Sequence, residues 1–187
     1  MLKILANLLN DYHGEVVFDE QCREKPIYLD QDTTILDGSI LENVLFGQTC
    51  TNERLIQISE AIGLNEVVGR QPQNWGTEIA KGKNLSRGQE QRICLARCLI
   101  KEADTYLLDE ATSNIDVVDE DKIMKALIGN QGILEEKTVL ISTHKLSMID
   151  YVDEVIYIKN GRVYQGTHMQ LLQKEKSYAA FFEGKVT

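Results

Sequence analysis

Short apolar runs alternate with longer amphipathic stretches along the chain, and that alternation predicts an α/β protein with a largely parallel sheet. Three runs read as buried strands: TYLLD at 105–109, TVLIS at 138–142 and EVIYIK at 154–159. Each is short and mostly apolar, as strands covered on both faces are. Asn160-Gly161 separates the last run from RVYQ. Both residues accept a positive φ, so the pair predicts a tight hairpin whose antiparallel strands close the sheet near the C-terminus. From about 36 to 101 the pattern changes. LENVLFG, NERLIQISEAIG and RGQEQRICLARCLIKEA read there as helices joined by polar loops, a helical insertion between strands. The chain carries no internal repeat and no low-complexity segment.

At 187 residues, with 43% hydrophobic and 26% charged positions, the chain can bury a core of its own and is not of disordered composition. Its 20 basic residues against 29 acidic ones give a net charge of -9, which argues against nucleic acid as a partner, since phosphate backbones are met by a Lys/Arg surplus. No apolar run approaches the roughly 20 residues of a membrane-spanning helix, and MLKILANLLNDYHG lacks the cleavage site of an export signal. The chain therefore reads as a soluble domain. Cys22, Cys50, Cys94 and Cys98 form no CxxC pair, and Cys94 and Cys98 stand one helical turn apart, where a disulfide would be strained. They are expected to be buried, reduced thiols.

Four places carry candidate chemistry. In Asn84-Leu85-Ser86-Arg87-Gly88-Gln89, Ser86 is a natural N-cap and Gln89 completes a capping box, so a helix begins there. Its N-terminus, with Gly88 beside it, suits a phosphate, although the same residues equally describe a helix that is merely well capped. TYLLDEAT ends an apolar strand in Asp109-Glu110. Ligands of open α/β sheets bind at such carboxyl ends, and two adjacent carboxylates there can divide the work. Asp109 can hold Mg²⁺ and Glu110 can polarise an attacking water. An exposed acidic turn is the plainer alternative. His144 follows TVLIST and can donate to a phosphate or serve only as a hydrogen-bonded loop residue. Gln31 follows the run Ile27-Tyr28-Leu29-Asp30, and its amide oxygen can meet a metal or water. His13 and His168 fall in polar turn sequence and are given no chemistry.

The order of these elements resembles the ATP-binding-cassette (ABC) nucleotide-binding domain. Gln31 stands for the Q-loop, LSRGQ at 85–89 for the signature motif, and LLDEAT at 107–112 for Walker B. Ser113-Asn114-Ile115-Asp116 stands for the D-loop and Ser142-Thr143-His144 for the switch histidine. Five ordered motifs cover essentially the whole chain. The resemblance implies a P-loop NTPase (RecA-like) core with an inserted helical subdomain. Its parts are a partial core at 1–35, a helical subdomain with the signature at 36–101, and the remaining core at 102–187. It further implies ATP and Mg²⁺ as ligands, a second such domain and transmembrane domains as partners, and a place at the cytoplasmic face of a membrane. Gln31 and Asp109 would serve the metal, Glu110 the water and His144 the γ-phosphate. Asp116 would make the contact across the dimer, while Ser86, Gly88 and Gln89 would act on the partner's ATP.

Flanking residues resemble the exporter branch of this family. They are Gln31-Asp32 with Ile35-Leu36-Asp37-Gly38-Ser39-Ile40 and Glu42-Asn43-Val44, then Thr77-Glu78-Ile79-Ala80-Lys81-Gly82 as the X-loop, and Gly166-Thr167-His168 with Leu171-Leu172 and Tyr178 in the tail. Arg87 departs from the usual signature glycine and Asn114-Ile115 from the usual Ala-Leu, while the stretch 14–31 is shorter than in most relatives. Ser86 and Gly88 are retained, so function is expected to survive. A second reading makes the chain a non-catalytic module that lends LSRGQ in trans to a complete cassette. A chromosome-maintenance ATPase would require a long coiled coil, and 36–84 holds no sustained heptads.

No GxxxxGK[ST] phosphate loop occurs in these 187 residues, and Met1-Leu2-Lys3-Ile4-Leu5 resembles the first turns of the helix that follows that loop in relatives. The chain is therefore expected to be truncated after it. Without about four charge-assisted hydrogen bonds, ~6–12 kcal/mol of gross interaction with phosphate is missing. That is of the size of a whole micromolar affinity, about 8 kcal/mol, so the chain alone is expected neither to bind nor to hydrolyse MgATP. Unpaired strand edges and marginal stability, with no sharp thermal transition above about 60 °C, are expected as well.

Overall fold

A computed structural model describes residues 1–18, 25–32, 34–80 and 84–186. Cys22 and the Lys81-Gly82 part of the X-loop lie outside the described residues. The elements in order are α1 (Leu2–Leu5), β1 (Ile27–Leu29), β2 (Gly38–Ser39), α2 (Ile40–Leu45), α3 (Asn52–Ala61), α4 (Leu64–Gly69), β3 (Glu78–Ile79) and α5 (Arg87–Ile100). After these come β4 (Thr105–Asp109), α6 (Val117–Ile128), β5 (Thr138–Ser142), β6 (Val155–Lys159), β7 (Arg162–Gly166), α7 (His168–Lys174) and α8 (Lys176–Val186). The chain divides into two compact units, 1–143 and 144–187.

In the first unit β1, β4 and β5 form a parallel sheet in that order, with β4 central. Four of its five residues are buried, as the apolar run requires. The expectation of full cover fails for β5, whose residues are exposed or half-buried, because among the described residues it is an edge strand with β4 on one side only.

Helix α5 lies at the heart of this unit. Its capping box is complete: the Gln89 N–H donates to Ser86 Oγ at 3.3 Å and the Ser86 N–H to Gln89 Oε1 at 2.9 Å. Ile93, Leu95, Ala96 and Leu99 are fully buried and join Ile40, Val44, Ile58, Ile62 and Leu64 of α2, α3 and the α3–α4 junction in one core with Tyr106 and Leu108 of β4. Two arginines on the same helix reach across it. Arg92 donates to the Ile62 carbonyl and pairs with Asp119. Arg97 donates to the carbonyls of Asn43 at 2.8 Å and Thr34 at 2.9 Å, and its guanidinium lies 4.6 Å over the Phe46 ring. The region read as purely helical also holds the small antiparallel pair of β2 with β3.

In the second unit, Asn160 and Gly161 take φ of 50° and 73° and join β6 to β7 in the expected tight hairpin. Within this unit the two strands form a two-stranded antiparallel sheet. The outward positions of β6 are accordingly exposed. His168, read as a turn residue without a role, opens α7. Its Nδ1 lies 2.8 Å from the Tyr178 hydroxyl and its ring 4.6 Å from that of Phe182, within an aromatic cluster that includes Tyr157. Cys94 and Cys98 are free and buried as expected, whereas Cys50 is only half-buried.

Candidate active site

The site is built where β1, β4 and β5 end together. Their parallel register sets Asp109 beside Ser142, and Tyr28 one residue short of the end of β1. Tyr28 donates its hydroxyl to Asp109 Oδ2 at 2.8 Å, and the Ser142 hydroxyl donates to Asp109 Oδ1. Burial, then the hydrogen bond and charge of Asp109, push the Tyr28 phenol well up, so it keeps its proton and remains a donor. Two hydroxyls thus fix both oxygens of one carboxylate.

Glu110 follows in a left-handed conformation, φ 48°, which no β-branched or bulky residue adopts cheaply. Successive strand residues point to opposite faces, so this break lets Glu110 leave the strand pattern instead of turning under the sheet. Its carboxylate accepts from Gln31 Nε2 at 2.9 Å, across 79 residues of sequence. Its own N–H donates to the Ser142 carbonyl at 3.1 Å, so the turn is pinned to β5 as well. Gln31 thus meets Glu110, the chain neighbour of Asp109.

The turn after Glu110 runs under the start of α5. Gln91, 2% exposed, donates from Nε2 to the Glu110 carbonyl at 2.8 Å and to Ser113 Oγ at 3.3 Å, and accepts from the Asn114 N–H at 2.8 Å. Gly88 comes so close to this turn that an added Cβ would stand 2.7 Å from the Asn114 carbonyl oxygen. Asp116 caps α6, accepting from the Val118 and Asp119 amides at 3.1 and 3.0 Å. Ser86 and Gln89 face each other in the capping box of α5, and the accepting Ser86 hydroxyl retains its own proton to donate. His144 follows β5 by two residues and is the first residue of the second unit.

Tyr28, Ser142 and Gln91 were not singled out from the sequence. Gln91 left a signal there: with Cys94, Leu95, Cys98 and Leu99 it makes an i, i+3, i+4, i+7, i+8 stripe, a polar residue heading the buried face of a helix. Tyr28 and Ser142 left none, since only the strand register brings them to Asp109.

Among the described residues no cluster of three or more His, Cys, Asp or Glu side chains could cage a metal unaided. Mg²⁺ needs no such cage, being held by one or two carboxylates with waters and substrate phosphates. Asp109 fits that demand, because a carboxylate offers about four lone-pair directions and the two hydroxyls occupy two of them.

Comparison with known proteins agrees with this arrangement. The family model described as ABC transporter matches residues 1–113. The chain is 38% identical over 83% of its length to the mesentericin Y105 transport/processing ATP-binding protein MesD of Leuconostoc mesenteroides, covering 21% of that protein. It is 31% identical over 99% of its length to the ABC transporter ATM1 of Toxoplasma gondii, covering 17% of it. It is 30% identical over 97% of its length to the ATP-dependent lipid A-core flippase of Nitrosococcus oceani, covering 32% of it. A bacterial Atm1-family ABC exporter solved with ATP bound superposes with a TM-score of 0.75 at 26% identity, over 86% of this chain and 28% of that one. The chain thus spans between 17% and 32% of the length of these relatives. Its parallel strands and intervening helices are those of the P-loop ABC ATPase fold. The chain belongs to the ABC transporter family, as a nucleotide-binding domain of the exporter type.

Proposed function

We propose that this chain supplies the hydrolytic half of an ATP-driven exporter motor, coupling MgATP hydrolysis to transport across a membrane. The observation that carries it is the hydrogen bond from Gln31 to Glu110 beside the doubly held Asp109, which joins residues 79 apart in sequence at one set of strand ends. Glu110 orients and polarises the attacking water, and Gln31 holds that carboxylate in place through Nε2 while its Oε1 serves the metal. Asp109, fixed by Tyr28 and Ser142, is the carboxylate through which Mg²⁺ would be held. That ion, when bound, would neutralise phosphate charge.

His144 donates to the γ-phosphate in this reading, and Asp116 contacts a second nucleotide-binding domain. Ser86, Gly88 and Gln89, with the positive end of α5, meet the phosphates held by that partner. Transmembrane domains are the other partner, at the cytoplasmic face. Among the described residues no helix is long and apolar enough to cross a membrane. Within these 187 residues no GxxxxGK[ST] loop occurs, and in this reading they supply groups for hydrolysis but no phosphate grip.

The test has two arms. The intact membrane protein that carries this chain, reconstituted in vesicles, hydrolyses ATP and stops on chelation of Mg²⁺; no hydrolysis overturns the reading. In a calorimetric titration the chain by itself gives no saturable heat with MgATP, and micromolar binding would contradict the division of labour.

A further inference from the structure

We propose that Gln91 is a positioning residue for hydrolysis, which locks the turn bearing Glu110 to the helix bearing the signature motif. The inference deepens the functional reading above and rests on it. Glu110 sits at φ 48°, a conformation that persists only where its surroundings over-determine it. The Ser142 carbonyl holds the turn from the β5 side, accepting from Glu110 N–H at 3.1 Å. On the α5 side the Gln91 carboxamide meets three of the turn's polar groups. It bonds the Glu110 carbonyl at 2.8 Å, the Ser113 hydroxyl at 3.3 Å and the Asn114 N–H at 2.8 Å.

The chemistry of the clamp is specific. One side chain must accept once and donate twice within a narrow fork, and a primary amide does so where a carboxylate cannot donate and an aliphatic chain does neither. The Asn114 amide fixes which end of the carboxamide is oxygen. Because Gln91 is 2% exposed, water cannot replace the bonds it makes. The clamp also excludes its neighbours from moving separately, since Gly88, one turn earlier on α5, has only hydrogen facing the Asn114 carbonyl. Displacement of the α5 start is therefore passed to the backbone of Glu110. In the functional reading these two ends serve different ATP molecules, one held by the partner and one by this domain, so Gln91 connects the two sites.

Steady-state hydrolysis by the intact protein separates positioning from mere packing. Gln91→Leu and Gln91→Glu are expected to lower kcat about tenfold or more with KM for MgATP within about twofold of wild type, the glutamate being the worse because its oxygen faces the Glu110 carbonyl. Unchanged kcat in both variants, or KM rising in step with the fall in kcat, overturns the proposal. Single-residue hydrogen exchange in the wild-type protein keeps it testable should the variants not fold: slow exchange at the Asn114 amide supports the clamp and fast exchange overturns it. A wild-type protein with no hydrolysis overturns the functional reading itself, whereas active wild type with unaffected variants overturns this inference alone.

Discussion

At the residue scale, the burial of single groups decides what they can do. Asp109 is held by two hydroxyls and Glu110 by an amide, so both carboxylates are fixed in orientation. The cysteines show the opposite case, groups that burial makes inert. Burial pushes the Cys98 thiol up to about 12, and burial also raises Cys94 despite the neighbouring Arg97. Alkylation of the native chain, mapped by peptide mass spectrometry, is accordingly expected at half-buried Cys50 at least about tenfold faster than at Cys94 or Cys98, with the difference gone in denaturant. Equal native rates would show that α5 is not packed as described.

At the element scale, capping chemistry was the most legible feature of the sequence. Ser86 with Gln89 could be read directly, because a capping box is local and needs nothing from the rest of the chain. Ser39 with Glu42 at α2 and Thr167 with Gln170 at α7 are built in the same way. The backbone N–H of Ser39, then its hydroxyl, hold the Glu42 carboxyl below its usual range. A depressed folded value contributes stability that is fully present above the unfolded value and is lost as pH falls through the folded one. The gap in Tm between wild type and Glu42→Gln is therefore expected to be widest above about pH 5 and to close toward about pH 3. A gap that widens on acidification would reverse that sign. The strand runs TYLLD and TVLIS were legible for the same local reason, and the Asn160-Gly161 hairpin from its two positive-φ residues. What could not be read was pairing. The half-exposure of β5 and the contacts of Tyr28 and Ser142 with Asp109 both depend on which strand neighbours which.

At the scale of the whole molecule, one core joins α2, α3, α5 and β4, so the helix that opens at Ser86 and the strand that ends in Asp109 are packed together. Motif order identified the family from sequence because five short patterns each demand a particular chemistry in a fixed succession. The meeting of Gln31 with Glu110 was only partly predictable: the two are 79 residues apart and meet because β1 and β4 are parallel neighbours. The account stands on Glu110 as the residue that activates water. Steady-state ATP hydrolysis by the intact protein, wild type against Glu110→Gln, tests this most directly, since the amide keeps the shape of the side chain and removes its basicity. The account predicts a fall in kcat of at least about a hundredfold with KM for MgATP nearly unchanged, and hydrolysis within about threefold of wild type would contradict it.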